Sequence, residues 1–145
     1  MNNLIALVNI AGLILIIENY LSYAWSVVGA FRKDQEQSKA DYNLLKFSNI
    51  TFWVLSLYII AIRFETILPN LYMVFPFQAL ATLVFWKTTL FTKKNKLSLA
   101  FSKDLPEMIY KTGPYSFLRH PFYFSYLLCY TSVSLLLLNP LIFIS

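Results

Sequence analysis

Apolar residues run almost continuously over residues 4–31, interrupted by Glu18 and Asn19. At about 1.5 Å per helical residue, such a run exceeds the roughly 30 Å hydrocarbon core of a bilayer, so it spans with tilt. A polar stretch of mixed charge, 32–46, separates it from a second apolar run that begins at Phe47. This second element reads on through Arg63 and Glu65 to a tight turn over residues 67–70, because Pro69 disfavours helix at the residue before it. A third run covers 71–91, a second polar segment 92–120, and a fourth run 121–138. Asn139-Pro140 reads as another turn, and the residues after it are apolar again. The pattern predicts an all-α integral membrane protein, with residues 1–145 forming a single transmembrane domain. Its helices are expected at about 4–31, 47–66, 71–91 and 121–138, followed by the start of a fifth.

Composition agrees with the pattern. The 145 residues are 58% apolar and 13% charged, against about 45–50% and about 25% in soluble domains. A small domain buries only about two-thirds of its surface, so the apolar surplus calls for lipid as solvent. Met1-Asn2-Asn3 carries no basic side chain and the first run is long, which argues against a cleaved signal peptide. The single cysteine, Cys129, lies inside an apolar run and reads as a small buried hydrophobe. One thiol excludes an intrachain disulfide. No His, Cys and carboxylate cluster has metal-ligand spacing, and no glycine-rich phosphate loop is present.

The net charge of +5 raises nucleic acid as a partner, but the positions of the charges point elsewhere. Arg32, Lys33, Lys39 and Lys46 lie in the first polar stretch. Lys93, Lys94, Lys96, Lys103, Lys111 and Arg119 lie in the second, with Lys87 nearby, and only Arg63 falls at the opposite end. With four spans the two polar loops, 32–46 and 92–120, share a face that the positive-inside rule makes cytoplasmic, so the N-terminus is expected outside. No nucleic acid partner is expected.

Two features inside the spans stand out. Glu18 sits near the middle of the first, where a carboxylate costs roughly 2.5–3.5 kcal/mol on insertion scales, and Gln78 lies at similar depth as a hydrogen-bond partner. No catalytic role is expected of Glu18. Tyr123, Tyr126, Tyr130 and Ser134 recur at helical spacing. Their shared face reads as ordinary helix packing, with a lipid-open tunnel for an acyl or prenyl chain as the alternative.

The candidate chemistry lies at the end of the second polar segment: Thr112-Gly113-Pro114-Tyr115-Ser116-Phe117-Leu118-Arg119-His120-Pro121-Phe122-Tyr123. Gly113-Pro114 marks a turn, and Pro121 suits the first turn of a helix, where its missing N–H costs nothing. Arg119 and His120, the only histidine, then stand beside the free N–H groups and positive end of the fourth span. An arginine at a span end commonly snorkels, and interfacial tyrosines commonly only anchor. Their convergence with Gly113, Tyr115, Pro121 and Tyr123 instead suits a carboxylate or another anion.

Gly113-Pro114-Tyr115 followed by Arg119-His120-Pro121-x-Tyr123 resembles the membrane methyltransferases related to isoprenylcysteine carboxyl methyltransferase and the phospholipid N-methyltransferases. Ala100-Phe101-Ser102-Lys103-Asp104-Leu105-Pro106 is similar to bacterial members of that group. The resemblance implies methyl transfer dependent on S-adenosylmethionine, to a membrane lipid or lipidated acceptor such as a phospholipid amine or an isoprenylcysteine carboxylate. It also implies a multi-pass protein of the bacterial inner membrane with its active face cytoplasmic. Arg119, His120 and Tyr123 are the implied catalytic residues, and Gly113, Tyr115, Arg119, His120, Pro121 and Tyr123 the implied cofactor-binding set. Arg119 or the helix end would hold the cofactor's carboxylate, and His120 would donate to that carboxylate or accept from a ribose hydroxyl. Tyr115 and Tyr123 would pack on the adenine or the sulfonium, where a cation over a ring face is worth about 0.5–2 kcal/mol. The family pattern continues with a Glu-Glu pair and a Tyr-bearing helix, whereas no acidic residue follows Glu107 here. A fragment or shortened relative is therefore expected, and the alternative function is a non-catalytic membrane subunit.

Overall fold

A computed structural model describes residues 2–29, 31–32, 39–93, 97–98 and 111–138. The Ala100–Pro106 segment and the expected start of a fifth span lie outside the described residues. The chain order is helix α1 (Asn2–Gly29), α2 (Lys39–Ile62), the single turn α3 (Phe64–Ile67), a 3-10 segment (Leu68–Met73), α4 (Phe75–Thr92), a 3-10 turn (Gly113–Ser116) and α5 (Pro121–Leu137). A two-residue parallel pairing of Phe31 with Leu97 and Arg32 with Ser98 ties the segment after α1 to the segment after α4.

The distribution of side chains is inverted relative to a water-soluble bundle. Leu4, Leu7, Leu21, Leu44, Phe47, Val54, Tyr58, Leu83 and Leu135 face outward, while Asn9, Asn19, Ser26, Ser56, Gln78, Thr88, Ser125 and Ser132 are buried. In lipid, apolar tails solvate leucine as well as a protein core does, and helices are held together by small and hydrogen-bonding residues instead. Asn3–Val27 and Asn43–Ile62 are each long and apolar enough to cross a membrane. Only 11% of the second segment is buried, which leaves nearly its whole circumference for lipid.

The structure moves several expected boundaries. α2 starts at Lys39, well inside the stretch expected as loop, because residues 39–46 contain good helix formers and no Gly or Pro. Hydropathy marks where a helix enters lipid, not where it begins. The second element also stops at Ile62, with Arg63 as a break, and the expected tight turn at 67–70 is a 3-10 segment two residues longer than that turn. Pro69 has no N–H to give and Pro76 sits in the first turn of α4, so helix is interrupted between them. The α3/3-10 arm and α4 meet at 65° and can form one broken span. Backbone groups freed by the break find partners: the Asn9 side-chain oxygen accepts from the Tyr72 N–H at 2.6 Å. Such compensation is what permits broken helix within a membrane.

α5 packs chiefly on α4, and α1 packs on both α4 and the 3-10 segment. Phe85 is fully buried at the centre, with its ring 5.2 Å from that of Tyr23 and 5.7 Å from that of Phe122.

Candidate functional site

The Gly113–Ser116 turn lies against the end of α4. Gly113 has φ +63°, and a Cβ there would fall 2.5 Å from the Phe91 ring, so both backbone and space demand glycine. Tyr115, half-buried, lies tilted against Phe91 with centroids 6.4 Å apart. The turn is closed by Leu118 N–H donating to the Pro114 carbonyl at 3.1 Å and Ser116 Oγ donating to the Gly113 carbonyl at 2.7 Å. The chain is thereby aimed at α5, which opens with a buried Pro121.

His120 precedes that helix and makes no side-chain cap, although its carbonyl accepts the Phe124 N–H at 3.0 Å. Pro121 at the first helical position has no N–H to leave unmet. The His120 imidazole stacks on Tyr123, with centroids 5.5 Å apart and an interplanar angle of 30°. Both rings are exposed, Tyr123 at 55%. Arg119 is exposed too, and among the described residues it makes no ion pair. The structure therefore brings Arg119, His120, Pro121 and Tyr123 to one helix mouth, while Gly113 and Tyr115 shape the turn leading to it.

Tyr126 and Tyr130 face inward. Tyr126 meets Tyr23 edge-on at 4.5 Å, and Tyr130 meets Phe52 at 5.0 Å while donating to Asn49 Oδ1 at 2.8 Å. This matches the packing reading of that face. Tyr123 alone of the three is turned outward.

S-adenosylmethionine, which the resemblance implies, would find only some of the groups it needs at this mouth. A guanidinium with no ion pair among the described residues and an exposed imidazole would suit the carboxylate of its methionine end. Apart from the mouth, the Thr89 hydroxyl near the end of α4 is buried with no hydrogen-bond partner among the described residues. No described contact offers the acidic side chain that would hold the ribose hydroxyls.

Sequence reasoning missed the most polar part of the interior. Asn19 Nδ2 donates to Gln78 Oε1 at 2.8 Å and to the Gln78 carbonyl at 3.2 Å. Gln78 Nε2 in turn donates to Ser132 Oγ at 2.8 Å and to the Cys129 carbonyl at 3.2 Å, joining α1, α4 and α5. Gln78 is thus partnered by Asn19, not by Glu18. The Glu18 carboxylate instead accepts from Ser22 Oγ at 2.7 Å, Trp86 Nε1 at 2.8 Å and Thr82 Oγ1 at 3.0 Å. The signal was present, since Gln78, Thr82 and Trp86 recur every four residues and so share one face of α4.

No known protein family, curated protein or solved structure matches this chain.

Proposed function

We propose that the chain is a four-span membrane protein whose α5 mouth binds S-adenosylmethionine for methyl transfer to a lipid or lipidated acceptor. The observation that carries this reading is the geometry of the Gly-Pro-Tyr turn. Its left-handed glycine packs on Phe91 and delivers Arg119, which has no ion pair among the described residues, and the His120–Tyr123 stack to one helix N-terminus. When bound, the cofactor supplies an electrophilic methyl group on a sulfonium. The protein's part is placement more than acid–base power: Arg119 grips the carboxylate, and the Tyr123 ring offers a face to the positive sulfur.

Four spans require α3 through α4 to count as one broken span and α5 as another. The 17 residues of α5 rise about 25 Å, a few ångströms short of the hydrocarbon core, a mismatch that local bilayer thinning accommodates. Both polar loops are then cytoplasmic. In a Cys129→Ala protein, single cysteines at Ser38 and Ser98 are expected to react with an impermeant maleimide only from the cytoplasmic side. Labelling of either from the outer face overturns the orientation.

Arg119→Lys keeps the charge but loses the planar two-pronged donor. In nonionic detergent this variant is expected to bind S-adenosylmethionine at least about tenfold more weakly by calorimetry, or about 1.4 kcal/mol. Unchanged affinity in a folded variant overturns the grip assigned to Arg119. The non-catalytic subunit is the second reading, favoured by the exposure of Arg119, His120 and Tyr123, since an open site screens every charged contact. Absence of S-adenosylmethionine binding by the unaltered protein overturns the cofactor site assigned to the α5 mouth.

A further inference from the structure

An open groove of about 410 Å³ runs between α1 and α4. Its walls are Ile14, Ile17 and Leu21, its end is the stacked pair Trp25 and Trp86, and Glu18 lies among them. The two indoles are 5.6 Å apart at 27°, and are 46% and 36% exposed. Trp25 can lie back along its own helix only because Gly29 is one turn further on, where a Cβ would fall 2.3 Å from the ring. Glu18 is three residues past the centre of Asn3–Val27, or about 4–5 Å along the axis. It is therefore within the depth of hydrocarbon.

The chemistry of the groove is that of a cation site. One Glu18 oxygen accepts from Ser22 and Trp86, the other lies near the Thr82 hydroxyl, whose single proton is shared with Asn19 Oδ1 and the Gln78 carbonyl, and among the described residues Glu18 has no cationic partner. Ion pairs or water-filled paths are the usual company of a carboxylate in a span. Here the groove opens sideways through aliphatic walls, and the ring faces that attract cations best stand beside the carboxylate. We propose that this groove binds a lipophilic organic cation, an ammonium or phosphonium centre carried on an apolar body, directly from the bilayer. The depth excludes a phospholipid headgroup amine, which stays at the interface, and selects a cation that itself partitions into hydrocarbon. The positive centre would sit beside Glu18 and against an uncovered face of the stacked indoles, with the apolar body against Ile14, Ile17 and Leu21. The site is separate from the α5 mouth and stands or falls independently of it.

The test is equilibrium dialysis of the protein in uncharged maltoside micelles with labelled tetraphenylphosphonium, set against tetraphenylborate, an anion of the same shape. Saturable binding of one phosphonium per chain is expected, with no saturable binding of the borate. Glu18→Gln should weaken phosphonium binding at least tenfold. Trp25→Leu, at a half-exposed position, should weaken it severalfold while helical circular dichroism is unchanged. Equal saturable binding of the two ions, or unchanged phosphonium affinity in folded Glu18→Gln, overturns the proposal. If Glu18→Gln does not fold, Trp25→Leu decides: unchanged affinity there overturns it.

Discussion

Replacing Gln78 with leucine is expected to weaken the association of α1, α4 and α5 by about 2–4 kcal/mol, although leucine has similar volume and suits lipid better. The Gln78 side chain makes three hydrogen bonds, to Asn19, Ser132 and the Cys129 carbonyl, and is fully buried. Interhelical hydrogen bonds within membranes average about 0.6 kcal/mol and reach about 1.7. Three of them on one side chain reach the predicted range. The loss is enlarged because Asn19 would keep only a backbone acceptor, and an unmet buried donor costs about 1–3 kcal/mol by itself. The same asymmetry predicts that Asn19→Leu combined with Gln78→Leu costs less than the two single changes added together. Detergent unfolding followed by tryptophan fluorescence measures both quantities. Additive losses would mean that the two amides stabilise the bundle independently of each other.

That network also shows what could be read from the sequence and what could not. Helix content and the apolar stretches were legible because lipid imposes a strong, local requirement: about twenty apolar residues and no unsatisfied backbone. Asn3–Val27 and Asn43–Ile62 meet it on their own. The break between Arg63 and Val74 was legible only as a turn. Its true form depends on Asn9, more than fifty residues earlier, which receives the Tyr72 N–H. The pairing of Asn19 with Gln78 is likewise a contact between helices, 59 residues apart in sequence. Equal depth pointed to Glu18 as the partner of Gln78, since depth alone does not separate Glu18 from its neighbour Asn19, which faces Gln78 instead. A rotation of about 100° per residue separates Glu18 from Asn19, and packing settles which points to α5's side of α4. At the candidate site the turn was legible because Gly113 and Pro121 act through their own backbone geometry. The docking of that turn on Phe91 was not, since nothing near Phe91 in sequence announces it.

Gly113→Val is expected to disorder the mouth of α5 while leaving the interior bundle intact. A residue with a Cβ pays about 1–2 kcal/mol in the left-handed region, and a β-branched one is a still rarer occupant. Gly113 has φ +63°, so valine meets this cost in full. Its Cβ would also stand 2.5 Å from the Phe91 ring. Phe91 can swing away only by leaving Tyr115, and an aromatic pair is worth about 0.5–1.5 kcal/mol. The total, about 1.5–3.5 kcal/mol, is as large as the few local hydrogen bonds that close the turn contribute, at about 0.5–1.5 kcal/mol each. The turn therefore opens in preference to α4 or α5 moving. The Leu118 amide, which donates to Pro114, should lose its hydrogen-exchange protection, while the Gln78 amide, bonded to the Val74 carbonyl, keeps its own. Binding of S-adenosylmethionine should fall with the Leu118 protection, because that turn sets the path by which Arg119 and His120 enter α5. Retained protection at Leu118 would mean that the turn tolerates a side chain. Lost protection with undiminished binding would show that the cofactor does not depend on this mouth.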